Sequence, residues 1–364
     1  MTLLGCTWDH QRGLDPLVAT AAAYREAEIV WEARNLQAFG DAPISELAER
    51  YDLIVIDHPH VGMGGVEDTL LPLDQWIDPE KMKDLAEGSV GPCHASYHWE
   101  GHQWALAIDA ACQVSAYLPS ALTSLPDDWT EVIEFAKSGG IVWPLKTADA
   151  FASFCTILLD LDTVPASRTD FVPPGNGLIA LELMEDISRH VPDWCLDANP
   201  IDVLEMLSRG EAVYCPLLYG YSNYARPAFR DQIVKFSDAP GQSGSILGGT
   251  GLAVSSKTRD PERAVAYSSW VASAEIQSNL YFSSGGQPAS ALAWDDPAVN
   301  ESCSDFFRAT RSTMDNAWVR PRHPGFVEAH IRIGQEINSF LRNPKRPQET
   351  VAEINRWYAQ SLTR

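Results

Sequence analysis

The chain has 364 residues, 45% hydrophobic and 21% charged, the balance of a soluble globular protein long enough for two domains. Its formal net charge of −22 argues against nucleic acid and anionic membrane as partners. No apolar run approaches the roughly 20 residues of a membrane span, so no membrane insertion is expected.

Leu3 to Trp8 reads as a first strand, ending in the polar stretch Trp8-Asp9-His10-Gln11-Arg12-Gly13. Residues 15–27 are alanine-rich and predict a helix, with Asp15 as its cap and Pro16 at the first helical position. Glu28 to Asn35 alternates like a half-buried strand, and residues 41–50 supply another helix. Leu53 to Ile56 is wholly apolar and β-branched at three of four positions, the pattern of a strand buried on both faces. It ends at Asp57-His58-Pro59-His60, because Pro59 cannot donate to a ladder. The order β-α-β-α-β gives an α/β class with a parallel sheet. In such sheets ligands bind outside the carboxyl ends of strands, which places Asp57, His58 and His60 at a crevice. The competing reading of this stretch is a polar loop with a helix cap. No glycine-rich phosphate loop follows any of these strands, so a nucleotide has no motif to support it.

After Leu71-Pro-Leu-Asp-Gln-Trp76, a helix is predicted near 79–88 and a tight turn at 99–103. The long segment Trp104 to Tyr117 carries one acid, Asp109, in its middle. An ionised carboxylate inside a strand is costly unless paired or placed where a chain leaves a domain, so 109–112 reads as a crossover between lobes. Residues 129–137 predict a helix and 140–145 a strand with Trp143 at its end. Helices follow over 149–162, 177–190 and 201–210, the last closed by glycine. Glu211 to Leu218 reads as a strand leading into Tyr219-Gly-Tyr-Ser-Asn-Tyr224, either a polar ligand wall or a tyrosine-rich packing loop.

Gly248-Gly-Thr-Gly-Leu-Ala-Val-Ser-Ser-Lys257, the Asp260-Pro-Glu-Arg-Ala helix region and Gly285-Gly-Gln-Pro-Ala289 carry a resemblance. Together they are similar to the "GG.GLAVS" strand, the "DPE.A" helix pair and the "GG.PA" turn of extracellular solute-binding proteins of carbohydrate ABC transporters, the maltose-binding-protein-like family 1. Tyr51-Asp-Leu-Ile, Leu71-Pro-Leu-Asp74, Trp104 to Tyr117, Trp129 to Phe135 and Pro344 to Ile354 match other family segments in order. Ala107-Ile108 stand where the family often has a proline. The resemblance implies a two-lobed periplasmic-binding-protein-like fold of type II, with a hinge and a ligand between the lobes. The implied lobes are 1–108 plus about 251–308, and about 113–247 plus 309–364, with crossovers near 109–112, 248–250 and 305–312.

Carried over by position, the ligand wall comprises Trp8, Asp9, His10, Arg12, Asp57, His58, His60, Asp109, Trp143, Tyr219, Tyr221, Gly249, Thr250 and, more weakly, Arg320. Trp8, Trp143 and Tyr221 suit stacking on a sugar face. Asp9, Asp57 and Asp109 can accept hydroxyl hydrogen bonds, and Arg12 suits a bidentate carboxylate or phosphate contact. The function implied is capture of a small polar ligand (sugar, polyol or sugar acid) for an ABC transporter permease, by a monomer without cofactor. The alternative is a cytosolic enzyme or sensor on the same fold, with His58 as general base or acid and Asp57 orienting it. A third reading binds metal through His10, Asp57, His58 and His60. Pro59 restricts that geometry, so no metal is expected. The seven cysteines (6, 93, 112, 155, 195, 215, 303) are odd in number and form no CxxC, which predicts reduced, buried thiols rather than a disulfide or zinc framework. The start shows no secretory signal, which points to the cytoplasm if Met1 is native and to the periplasm if a leader has been removed.

Overall fold

The computed structural model describes residues 2–35, 43–241, 244–344 and 346–363. Met1, the first two residues of the helix predicted over 41–50, and Lys345 of the terminal motif lie outside the described residues. The strands, in chain order, are β1 Thr2–Trp8, β2 Glu28–Arg34, β3 Leu53–Ile56, β4 His98–Trp99, β5 His102–Gln103, β6 Leu106–Tyr117, β7 Tyr214–Tyr219, β8 Lys235–Ser237 and β9 Leu247–Val254. The chain divides into two compact units. The first holds the residues up to Ala111 with Gly248–Asn300 and Arg322–Pro324; the second holds Cys112–Leu247, Glu301–Pro321 and the chain from Gly325 onward.

In the first unit the order is β2-β1-β3-β9. The first three strands are parallel, as their alternation with helices requires, and β9 joins antiparallel beside β3. Gly5 and Trp31 are register partners, and a Cβ at Gly5 would lie 2.5 Å from the Trp31 ring. Only glycine lets the indole cross β1 there. Asp52 ties the sheet together: its carboxylate accepts from Leu4 N (2.8 Å) and from Thr258 Oγ1 (2.6 Å). Alternate residues, Leu53 and Val55, Leu252 and Val254, Leu106 and Ile108, fill one core with Leu3, Leu17 and Tyr267. The helix Pro261–Val271, capped by Asp260, contributes Ala264, Val265 and Val271 to it.

One local expectation is corrected in this unit, and the tight turn expected at 99–103 is formed. The helix predicted over 15–27 runs from Gln11 to Ala23, with His10 as its N-cap and Pro16 inside it. The His10 ring supplies the acceptor that Asp15 was expected to provide, so the helix begins at the ligand loop itself. The turn at 99–103 is a hairpin between β4 and β5, with Glu100 (φ 47°) and Gly101 (φ 86°) both left-handed. Arg322 docks on this unit by donating from Nη1 to the carbonyls of Ala95 (2.9 Å), Ser96 (3.3 Å) and His98 (2.8 Å).

In the second unit the C-terminal half of β6 pairs antiparallel with β7 and β8. The register shifts between Val114 and Ala116, where β7 carries Pro216. A proline inside a strand is tolerated at such a bulge, because no ladder donor is required of it. The helix Thr147–Asp160 is buried from Asp149 through Leu158, and the helices Phe326–Arg342 and Pro347–Ser361 complete the layer. The strand predicted over 140–145 is not formed. Gly139 and Gly140 have positive φ, and only Ile141 bridges, in parallel to Tyr214. The backbone then turns its donors from Leu145 and Lys146 to the carbonyls of Cys195 and Ala198. All seven cysteines are buried thiols.

Candidate functional site

The loop after β1 is built around a close approach. Trp8 is buried, and a Cβ on Gly13 would lie 2.4 Å from its indole, so the first helical turn rests directly on the ring. The His10 Nδ1 accepts from the Arg12 backbone N–H at 3.0 Å. Asp9 is exposed, with its N–H on the Arg34 carbonyl at 2.6 Å.

Arg12 turns inward from this loop. Its Nε donates to Asp109 Oδ2 at 2.7 Å and its Nη2 to Oδ1 at 2.5 Å, a two-pronged pair in which both residues are at most 3% exposed. Burial pushes the Asp109 carboxyl above its ordinary range, while the Arg12 charge and hydrogen bonds pull it back. Two expectations change. Two prongs of the Arg12 fork are committed to Asp109 rather than offered to an anionic ligand, and Asp109 is an internal counter-ion rather than an open hydroxyl acceptor. Tyr281 completes this corner. Its phenol is wholly buried and held well above its usual range, first by burial and then by the Asp109 charge. Sequence reasoning missed it; the available signal was Gly286, whose absent Cβ leaves room for the Tyr281 ring.

After β3, Asp57 caps a short 3-10 turn over His58–His60, accepting from the His58 N–H at 2.8 Å. The cap that competed with a ligand role in the sequence is therefore real. The His58 Nδ1 also lies 3.2 Å from Asp57 Oδ1. His58 is wholly buried, edge-on to the Tyr97 ring at 6.3 Å. His60 is buried too, its Nδ1 3.1 Å from the Asp57 carbonyl. In β9, Gly249 has φ 92°, and a Cβ there would lie 2.3 Å from the Asp109 carbonyl, so glycine is required where β9 passes β6. Thr250 beside it is 6% exposed, and its hydroxyl has no hydrogen-bond partner among the described residues. In the first unit Trp8 to Arg12 lie at and after the end of β1, Asp57 to His60 after β3, Asp109 in β6 and Gly249 and Thr250 in β9; Asp109 is the residue that meets both Arg12 and the Gly249 backbone.

The remaining candidates belong to the second unit. Trp143 is wholly buried and donates from Nε1 to Ser153 at 3.1 Å, which makes it a core residue rather than a stacking platform. Tyr219 is half-buried at the end of β7, and Tyr221 is 6% exposed in the turn that follows. Tyr224 is structural: its hydroxyl donates to Glu205 at 2.7 Å, and Arg230 holds the same carboxylate at 2.6 Å. Arg320 is buried, two residues past the point where Trp318 bridges Ile246. Among the described residues no group of three or more His, Cys, Asp or Glu is placed to hold a metal ion. No described helix is long and apolar enough to cross a membrane.

These features define a two-lobed α/β fold of the periplasmic-binding-protein type, matching ABC transporter sugar-binding proteins over the whole chain. The chain is similar to a solute-binding protein from Agrobacterium radiobacter K84 solved with ribitol (19% identity, TM-score 0.80, 99% of this chain and 98% of that one). It is similar to maltose-bound MalE3 of T. maritima (16%, TM-score 0.83, 100% and 99%). It is also similar to a solute-binding protein from Thermotoga lettingae TMO bound with α-D-tagatose (14%, TM-score 0.85, 99% and 99%). No protein-family model and no curated protein matches the chain by sequence.

Proposed function

We propose that this chain is a substrate-binding protein that captures a small polar ligand, a sugar, polyol or sugar acid, and delivers it to an ABC transporter permease as a monomer. The observation that carries the reading is the full-length likeness to binding proteins solved with ribitol, maltose and tagatose. Support comes from the strand-end set of the first unit. Asp9 offers an exposed carboxylate to ligand hydroxyls, and Thr250 a hydroxyl without a hydrogen-bond partner among the described residues. The engaged Arg12–Asp109 pair leaves hydroxyl recognition to these neutral and acidic groups, which favours sugars and polyols over sugar acids. The alternative of an enzyme or sensor built on His58 and Asp57 is not favoured by these likenesses, and the full burial of His58 gives a substrate no access to its ring.

The test is a fluorescence titration of the full chain with sugars, polyols and sugar acids, followed by mass spectrometry of the recovered ligand. One class is expected to bind with a dissociation constant of roughly micromolar order, about −8 kcal/mol, and to be recovered unchanged. A ligand converted to product by wild type but not by His58→Ala would replace this reading with the enzymatic one.

A further inference from the structure

The first unit contains a cavity of about 240 Å³ that uses none of the residues assigned to the ligand site. One wall is the helix Pro79–Glu87, which brings Lys81 and Asp84. Opposite it, Ser89 and Ser290 face each other across a single antiparallel bridge, and Leu106 of β6 contributes an apolar wall. His94 lines the cavity from the short helix Cys93–Ser96, fixed by its backbone N–H on Ser89 Oγ at 3.1 Å.

The polar groups inside are neutral. Burial, with the nearby His98 second, lowers the His94 imidazole to about 4, so it is uncharged at neutral pH. Ser290 is 5% exposed, and its hydroxyl has no hydrogen-bond partner among the described residues. A buried hydroxyl left in that state is costly, and a ligand or an ordered water relieves it. The charges of Lys81 and Asp84 lie on exposed positions of their helix, so an ionised group in the interior would find no buried counter-ion. At about 30 Å³ per water the volume holds roughly eight waters, which suits a small molecule rather than a peptide.

We propose that this cavity is a second binding site on the first unit, taking a small uncharged polyol whose hydroxyls bond to Ser290 and His94 while its carbon face rests on Leu106. It is separate from the capture site in every lining residue, so it neither requires nor excludes the transport reading.

The experiment is methyl NMR of the full-length protein, titrated with erythritol and xylitol and, as charged probes, with acetate and methylammonium. Saturable shifts of the Leu85 and Leu106 methyls are expected with a polyol. Ser290→Ala should weaken this binding roughly five-fold, the effect of one lost hydrogen bond. Ala274→Phe, which places a ring in the cavity from a half-buried position on its lining, should abolish the shifts. The proposal is overturned if neither polyol moves these methyls saturably, if the shifts persist in Ala274→Phe, or if acetate or methylammonium binds more tightly than the polyols.

Discussion

Two of the buried polar side chains on strand β6, Asp109 in its first half and Gln113 in its second, are satisfied by opposite means. Asp109 is ionic and has one partner, the guanidinium of Arg12, which comes from the loop after β1. Gln113 is neutral and wholly buried. Its amide donates to Ser153 Oγ at 3.2 Å and accepts from Thr156 Oγ1 at 2.7 Å. Ser153 also receives the Trp143 indole N–H, and Thr156 the backbone N–H of Ile246. The ionic pair concentrates its energy in one contact, and each charge depends on the other to offset its desolvation. The neutral network spreads its bonds over several groups, so the loss of one leaves smaller orphans.

The strongest way to break this contrast is Asp109→Ala. It leaves a buried guanidinium without its counter-ion, and the first unit should lose about 3–5 kcal/mol. The expected result is a lower denaturant midpoint for Asp109→Ala, while the double change Arg12→Met with Asp109→Leu recovers most of the loss. If the double variant is no better than the single one, the pair is not an isolated ionic contact.

A titrating group sharpens the comparison next. In the unfolded chain His94 takes its proton near 6.5, and in the fold only near 4. The stability associated with its neutral form is therefore fully present above about pH 6.5. It is lost as pH falls from there toward 4, by up to about 3 kcal/mol, reduced by residual exposure. Denaturation of wild type and His94→Asn at pH 7.5 and pH 5 should show the wild type losing more stability on acidification. Equal losses would mean that His94 is solvated in the native state.

The smallest effect is expected from Gln113→Ala, which removes two hydrogen bonds from the neutral network and should cost about 1–3 kcal/mol. Its unfolding midpoint should lie between those of wild type and Asp109→Ala. A loss as large as that of Asp109→Ala would show that the neutral network is as concentrated as the ionic pair.

Much of the fold is written in local pattern. The apolar run at Leu53–Ile56 has the composition of a doubly buried strand, and all four of its residues are buried. Pro59 stops that strand where expected, and Asp57 caps the turn that follows. The ordered motifs from Tyr51 to the terminal helix were enough to indicate the two-lobed class. These features were legible because periodicity, proline and capping chemistry act within a few residues of their cause. The candidate site was legible only as a set of positions. That Arg12 faces Asp109, 97 residues away, depends on which strands the chain brings together. Likewise β9 returns to pair with β3 in an orientation that the βαβ pattern does not specify. The same holds for Trp143, whose aromatic strand-end pattern suggested a ligand wall until Ser153 and the core enclosed it. Sequence by itself determined which residues are apolar, which turns are tight and where helices can begin. Only the tertiary structure decided which polar groups are spent on each other and which remain for a ligand, because that choice is made by distances between segments that no local pattern encodes.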